Sequence, residues 1–406
     1  MLRKLADHIR NSDIDYPLLV PLLLSSFLVQ TVTALVRVTI SYRAVELGLS
    51  LIWIGLIAAT FAIFPILIAV QVGRLIDRGY DTRTAWIGAL IFTLSMTGFA
   101  LWPTPAGLLL FSTVMGFGHI MLMASHQMIC VRAAGPKSLE AVFGNFMVVT
   151  AIGQGFGPYV VGWMGGSAAI PPTQPLFTIA AACAAAAVVF TLLMKPARKA
   201  SAAKGESDIV PISQILRIPG LVAVVTAGVI MVAASDTVVV YIPLLGAERS
   251  IDVKDIGLLL TVRAAASMVA RLFYARMVET AGHWPLMSAS TFACAAAFAA
   301  LAAPVSLPWM YLIMIVMGFS FGLATTLSIT IVVDLTKAGG ARGTANSLRI
   351  MGNRIGQFVL PFGAGLVAAA AGLSGLLLAM AAAIAAAAAA MQRARPREND
   401  NKPPIG

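Results

Sequence analysis

Apolar residues run through this chain in long unbroken blocks, with neither the strict alternation of strands nor the narrow stripe of a soluble amphipathic helix. Residues 84–131, 141–194 and 280–333 contain no Asp, Glu, Lys or Arg. A helix needs about 20 apolar residues to cross a bilayer, so each block has room for two crossings. Proline and glycine clusters supply the turn inside each: WPTPAG at 102–107, GGSAAIPPTQP at 165–175 and APVSLPW at 303–309. Single crossings fit 16–40, 51–73, 220–245, 256–275, 347–370 and 373–391, which brings the expected total to twelve. Backbone polar groups in lipid must be satisfied within the segment, so the crossings are helices; barrel strands would be about half as long and would alternate polar with apolar residues. The first block exceeds a signal-peptide core and is expected to stay as the first crossing. The predicted fold class is an all-α integral membrane protein.

Composition agrees. Of 406 residues, 59% are hydrophobic and 11% charged, against about a quarter charged in an ordinary soluble domain. The net charge of +11 raises nucleic acid as a partner, but its distribution argues against one. With both ends cytoplasmic, Lys and Arg concentrate in the inner segments 1–15, 74–83, 132–140, 194–219, 276–284, 334–346 and 392–406, while the outer loops hold only Arg43, Arg249 and Lys254. That asymmetry sets orientation in the cell (inner or plasma) membrane. Cys130, Cys183 and Cys294 lie singly in apolar blocks, without metal-type spacing, and are read as packing residues.

The stretch 194–219 is polar and suits a cytoplasmic linker. It divides the crossings six and six, giving expected bundles at 1–193 and 220–406. The halves repeat each other. VMGFG at 114–118 returns as VMGFS at 316–320, GRLID at 73–77 as ARMVE at 275–279, and WIGL at 53–56 as DIGL at 255–258. GQGFGPYVVG at 153–162 and GQFVLPFGAG at 356–365 both read G-Q-x-x-x-P-x-x-x-G. Two six-helix halves related along the membrane normal form a transporter plan, with substrate held between them near the midplane.

Between the second and third crossings stands VGRLIDRGYDTR, residues 72–83, with six ionisable residues, Tyr80 included, among twelve positions. This segment, with the six-plus-six plan, resembles the major facilitator superfamily, whose loop signature reads roughly G-x-L-x-D-R-x-G-R-R. Gly73, Leu75, Asp77, Arg78, Gly79 and Arg83 carry the match; Gly79 comes one place early, and Asp81 and Thr82 stand where a basic pair is usual. The resemblance implies a loop that latches the two halves, with Asp77 meeting helix-end donors or Arg349 or Arg354. On the residues alone, Gly73 is expected to allow close helix approach and Gly79 a tight turn. The fifth crossing resembles the antiporter branch of the family through Gly153, Gly157 and Pro158, with Gly162 one place late. That likeness implies exchange of substrate for protons.

Ionisable groups at membrane depth are costly and face a partner or a wet cavity. Asp236 and Arg263 lie in the seventh and eighth crossings, each seven or eight residues below the outer end, or ~10–12 Å deep at ~1.5 Å per residue. They are expected to pair, with Asp236 the best proton-coupling carboxylate; a static ion pair is the plainer alternative. His119 sits mid-way along the fourth crossing, where it could share a wall with Gln154, and Gln30 is a substrate-contact candidate. In the eleventh crossing Asn346, Arg349 and Asn353 recur at helical spacing, followed by Arg354 and Gln357. Arg349 and Arg354 are expected in a network with Asp334 or Asp77, or on an anionic substrate.

No phosphate loop, nucleotide-binding glycine run, Ser–His–Asp set or metal-ligand cluster appears, so neither an enzyme nor a cofactor is expected. The reading that follows is a monomeric secondary transporter, exporting small drug-like molecules against protons. Uptake or exchange of a small organic anion or metabolite stays open, as does a non-transporting receptor on the same fold.

Overall fold

A computed structural model describes residues 13–135, 138–196, 217–336 and 342–395, without the side chains of 342–347. Most of the expected linker, both chain ends and the side chain of Asn346 thus lie outside the described residues. Among those described the chain is helical, with no strand. The helices are α1 (Tyr16–Glu46), α2 (Leu51–Thr60), α3 (Ile63–Leu75), α4 (Asp81–Leu101), α5 (Pro105–Ala133), α6 (Leu139–Gly165) and α7 (Thr173–Leu192), then α8 (Leu221–Glu248), α9 (Val253–Leu272), α10 (Tyr274–Ala281), α11 (His283–Ala302), α12 (Leu307–Leu335) and α13 (Arg342–Arg393).

Nine of the described helical runs are long and apolar enough to cross a membrane, or ten if α9 and α10, bent by 60°, make one span. Two of those runs, Leu51–Leu101 and Leu348–Arg393, have 51 and 46 residues, about twice the bilayer requirement. Each contains a glycine at positive φ, Gly79 at +83° and Gly372 at +70°, a left-handed conformation that breaks a helix at no steric cost to glycine. Counted as two each, they make the total consistent with twelve crossings.

The expected second crossing is broken into α2 and α3 at Phe61 and Ala62. Pro65 explains the break: it has no N–H to give the carbonyl four residues back, that of Phe61. α5 exploits the gap, since a Cβ on Gly116 would lie 2.0 Å from that carbonyl oxygen.

The chain divides into two compact units, Met1–Lys204 with Val239–Ala264, and Gly205–Val238 with Ala265–Gly406. In the first, α1 packs on α5, α6 and α7, and α4 on α5 and α7. One end of that unit is sealed by Leu18, Leu22, Ile129, Val142, Phe146 and Met194. In the second, α11 packs on α12 and α13 around a core that includes Leu221, Met287, Leu327, Ile331 and Met391. Residues 239–264, expected with the second bundle, cluster with the first, for a reason that lies in the glycines of α6.

Candidate functional site

The second unit holds a polar cluster at membrane depth. α8 presents Asp236 and α13 presents Arg354 and Gln357, one helical turn apart. The Gln357 amide joins the two charges: its Nε2 donates to Asp236 Oδ2 at 2.9 Å, and its Oε1 accepts from Arg354 Nη1 at 2.9 Å. Asn353, one turn before Gln357, carries a buried Oδ1 with no hydrogen-bond partner among the described residues. Arg354 was expected in a network with Asp334 or Asp77; its described bond is to Gln357, whose amide also reaches Asp236. Asp334 lies 3.9 Å from His283 Nδ1. Arg349 is half-buried on α13, and Arg263 is half-buried on the part of α9 that belongs to the first unit.

The first unit is organised around α6. Its glycines fall on two faces. A Cβ on Gly153 would lie 2.7 Å from Phe27 O, and one on Gly157 2.5 Å from Thr31 O and 2.6 Å from Leu35 N, so this face lies backbone to backbone on α1. On the other face, a Cβ on Gly162 would lie 3.1 Å from Gly257 Cα, and one on Gly257 2.6 Å from Pro158 O. Thr261 Oγ1 donates across the same seam to Gly155 O at 3.0 Å. Beyond the end of α6, Val253 N and Lys254 N donate to Ala168 O and Gly166 O at 3.1 and 3.0 Å. The start of α9 is therefore bound to α6 by main-chain contact, which accounts for the membership of 239–264.

Gln30 is buried and donates to Met123 Sδ at 3.1 Å. Gln154 is exposed on α6, and the His119 ring lies 5.3 Å from that of Phe61. The described contact of His119 is thus aromatic. Phe61 also receives the Arg37 guanidinium, 5.5 Å from its ring centre. Exposed Phe156 continues toward Tyr159, the rings 5.9 Å apart, and toward Phe27 at 5.8 Å.

A second histidine, His126, is fully buried, and both its ring nitrogens meet hydroxyls: Nδ1 to Ser26 Oγ at 3.0 Å and Nε2 to Ser25 Oγ at 3.4 Å. Ser25 continues to Thr191 Oγ1 at 2.8 Å. This network ties α1, α5 and α7 together in the first unit.

In the charged loop, residues 76–80 wind as a π-helical turn, closed by Gly79. Asp77 and Arg78 are exposed, and Arg83 lies 5.5 Å over the Tyr80 ring. A Cβ on Gly73 would meet no described atom of its own unit within 4 Å. The departure from the loop signature proves structural. Asp81 opens α4 and is 2% exposed, where a carboxylate favours the helix N-terminus. Its Oδ1 accepts from Thr82 N at 2.7 Å and from Arg132 Nη1 at 3.4 Å. Arg132 Nη2 also donates to Thr82 Oγ1 at 3.0 Å and Lys195 O at 2.9 Å. One guanidinium thus clamps the ends of α4, α5 and α7. Asp81, Thr82 and Arg132 were missed as a set; the only signal was that an acid stood where a base is usual.

With this geometry in hand, the comparisons decide the family. The model of the Major Facilitator Superfamily matches residues 22–250 and 224–406. The chain belongs to that superfamily. It is a multi-pass membrane transporter of a small-molecule substrate, and not an enzyme. No protein of curated function matches the sequence. Among solved structures the chain is similar to a point mutant of the nucleoside transporter NupG, at 17% identity and a TM-score of 0.79 over 93% of this chain and 100% of that one. It is also similar to a bacterial homologue of the human lysosomal transporter Spinster, inward-facing and occupied, at 14% identity and a TM-score of 0.79 over 95% and 98% of the two chains. At these identities the likeness is one of fold.

Proposed function

We propose that this transporter exports small, largely apolar organic molecules in exchange for protons, by alternating access of bundles at 1–193 and 220–406 joined by the 194–219 linker. The observation that carries the reading is the Gln357 amide held between Asp236 and Arg354. An ionised carboxylate only accepts hydrogen bonds, and a protonated one also donates. A proton arriving on Asp236 Oδ2 faces the Gln357 N–H with another donor, and the amide must turn to offer Oε1. Turning withdraws Oε1 from Arg354 and brings an N–H toward the guanidinium. One protonation event therefore releases Arg354, which is the kind of local charge change that biases a two-state transporter. Export is supported by the resemblance of Gly153, Gly157, Pro158 and Gly162 to the antiporter signature. The exposed aromatic pair Phe156 and Tyr159 supports an apolar substrate. Arg263 and His119 keep accessory coupling roles in this proposal, and Gln30 and Gln154 roles in substrate contact; Asp77, Arg78 and Arg349 keep gating roles.

A second reading has its own support. The buried Asn353 Oδ1 offers an acceptor to a polar solute, and NupG, similar in fold, is a nucleoside transporter. It makes the chain a carrier that takes up a small polar metabolite or organic anion.

Proteoliposomes with an imposed pH gradient separate the two, using a substrate found by thermal-shift screening. Export by exchange moves protons against the direction of the substrate, and Asp236→Asn abolishes that movement. Protons moving with the substrate favour uptake. Normal coupling in Asp236→Asn removes Asp236 from either scheme.

A further inference from the structure

The second unit has a groove whose lining includes none of Asp236, Arg354 and Gln357. It lies between the start of α8 and the end of α13, with a volume of ≈ 470 Å³, in the range that accepts a drug-sized molecule. Val222, Ala223 and Thr226 form one wall, Ala387 and Ala390 the other, and Arg217 stands at its mouth. The groove exists because α13 ends in alanine: positions 387, 390 and 394 share a helical face on which no side chain extends past Cβ. Its end is closed where the chain turns at Gly220. There φ is +80°, and a Cβ would lie 2.9 Å from both the Ala394 carbonyl oxygen and the Trp284 ring. Tryptophan favours the boundary between hydrocarbon and headgroups, and Trp284 stands at the start of α11.

Chemistry is divided along the groove. Val222 is 48% exposed, and Ala390 is exposed as well; in a membrane protein, bare apolar side chains at the outer surface face lipid. At the other end Arg217 is exposed, and Arg393 and Arg395 flank the lining residue Ala394 and are exposed too. No Asp or Glu is among the described lining residues. An apolar trough with Arg217 at its mouth, and Arg393 and Arg395 exposed on either side of its lining Ala394, is complementary to an amphiphile with an anionic head.

We propose that this groove binds one anionic diacyl phospholipid of the cytoplasmic leaflet, its phosphate on Arg217 and Arg395 and its acyl chains along α8 and α13. Basic recesses between membrane helices on that side take such headgroups, and each Lys or Arg near an anionic surface adds a comparable increment of attraction. The assignment rests on the cytoplasmic placement of this arginine-rich end. A free phosphate would use the arginines and leave the trough empty; the lipid uses both.

Native mass spectrometry of the full-length protein, delipidated in detergent and offered phosphatidylglycerol and phosphatidylcholine of equal chain length, tests this. Wild type retains one phosphatidylglycerol with a preference of about 30-fold, the equivalent of two arginine contacts. Arg217→Gln with Arg395→Gln loses the preference, whereas the charge-matched control Arg74→Gln with Arg276→Gln keeps it. Ala390→Trp, at an exposed position, fills the trough and loses the lipid with every arginine in place. Excess inorganic phosphate leaves the lipid bound. Equal retention of the two lipids by wild type overturns the proposal. So does equal loss in the control, full retention by Ala390→Trp, or displacement by phosphate. None of these outcomes depends on whether transport is coupled to protons.

Discussion

Replacing Gly157 by Ala adds one methyl group, and the surroundings decide the sign of its effect. That Cβ would lie 2.5 Å from Thr31 O, 2.6 Å from Leu35 N and 2.9 Å from Ala34 Cβ. Two of these neighbours are backbone atoms of α1, which no rotamer change can move. Restoring ordinary contact requires α1 and α6 to part by about 1 Å, and forcing a methyl into a full site costs about 1–3 kcal/mol. Alanine in a helix recovers about 0.5–1 kcal/mol over glycine through reduced backbone entropy in the unfolded chain. The net expectation is a loss of roughly 1–2 kcal/mol. Gly144 is the internal control. It lies on the same helix, and a Cβ there would meet no described atom within 4 Å, so Gly144→Ala gains the entropy term alone and should be neutral or slightly stabilising. Thermal unfolding of both purified variants in one detergent therefore gives shifts of opposite sign. A melting temperature of Gly157→Ala at or above that of Gly144→Ala would refute the claim that this part of α6 is a close-packed seam.

Two further substitutions address the polar clusters. Gln357→Leu removes the amide between Asp236 and Arg354; losing a charge-assisted bond of about 1.5–3 kcal/mol should lower proton-coupled flux in proteoliposomes about 10- to 100-fold, with the fold retained by circular dichroism. Arg132→Leu leaves Asp81, whose side chain is 3% exposed, without its cation. Breaking a fully buried pair costs about 3–5 kcal/mol, and since the Arg132 side chain is 24% exposed the loss here should be about 2 kcal/mol, seen as a lower melting temperature than that of Arg83→Leu, an exposed control.

What the sequence made legible was whatever depends on residue type in bulk. Charge-free blocks, Pro/Gly turns and the Lys/Arg asymmetry gave helices and a twofold plan, because a bilayer accepts almost nothing else. The repeat even carries into packing. Gly153 and Gly356 are the first glycines of the duplicated motif, and each closes on the opening helix of its own half, Gly153 on Phe27 and Gln30 of α1 and Gly356 on Val229 of α8. The polar contacts were harder. Asp236 was visible as the one deep carboxylate, but its hydrogen-bond donor depends on the rotation of α13 about its axis, which hydrophobicity alone leaves free when a helix is apolar nearly all round. The sequence pointed to Arg263 at equal depth and gave no sign of the bond from Gln357, 121 residues away. Asp81 and Arg132, 51 residues apart, were hidden for the same reason, and the exposed setting of Asp77 was not foreseeable from its motif.

The duplicated partner of Gln357 is Gln154, which is exposed, and the first half has no deep carboxylate to match Asp236. In the proposed scheme, coupling chemistry therefore belongs to one half of a duplicated frame.

The most direct test of that claim needs no substrate. Infrared difference spectroscopy of the purified protein, recorded over a range of pH, reads the C=O stretch of a protonated carboxyl group. The account predicts a protonated-carboxyl band in wild type that is absent from Asp236→Asn and shifts in Gln357→Leu as its bonding partner is lost. Spectra of wild type and Asp236→Asn that coincide across the range would contradict it.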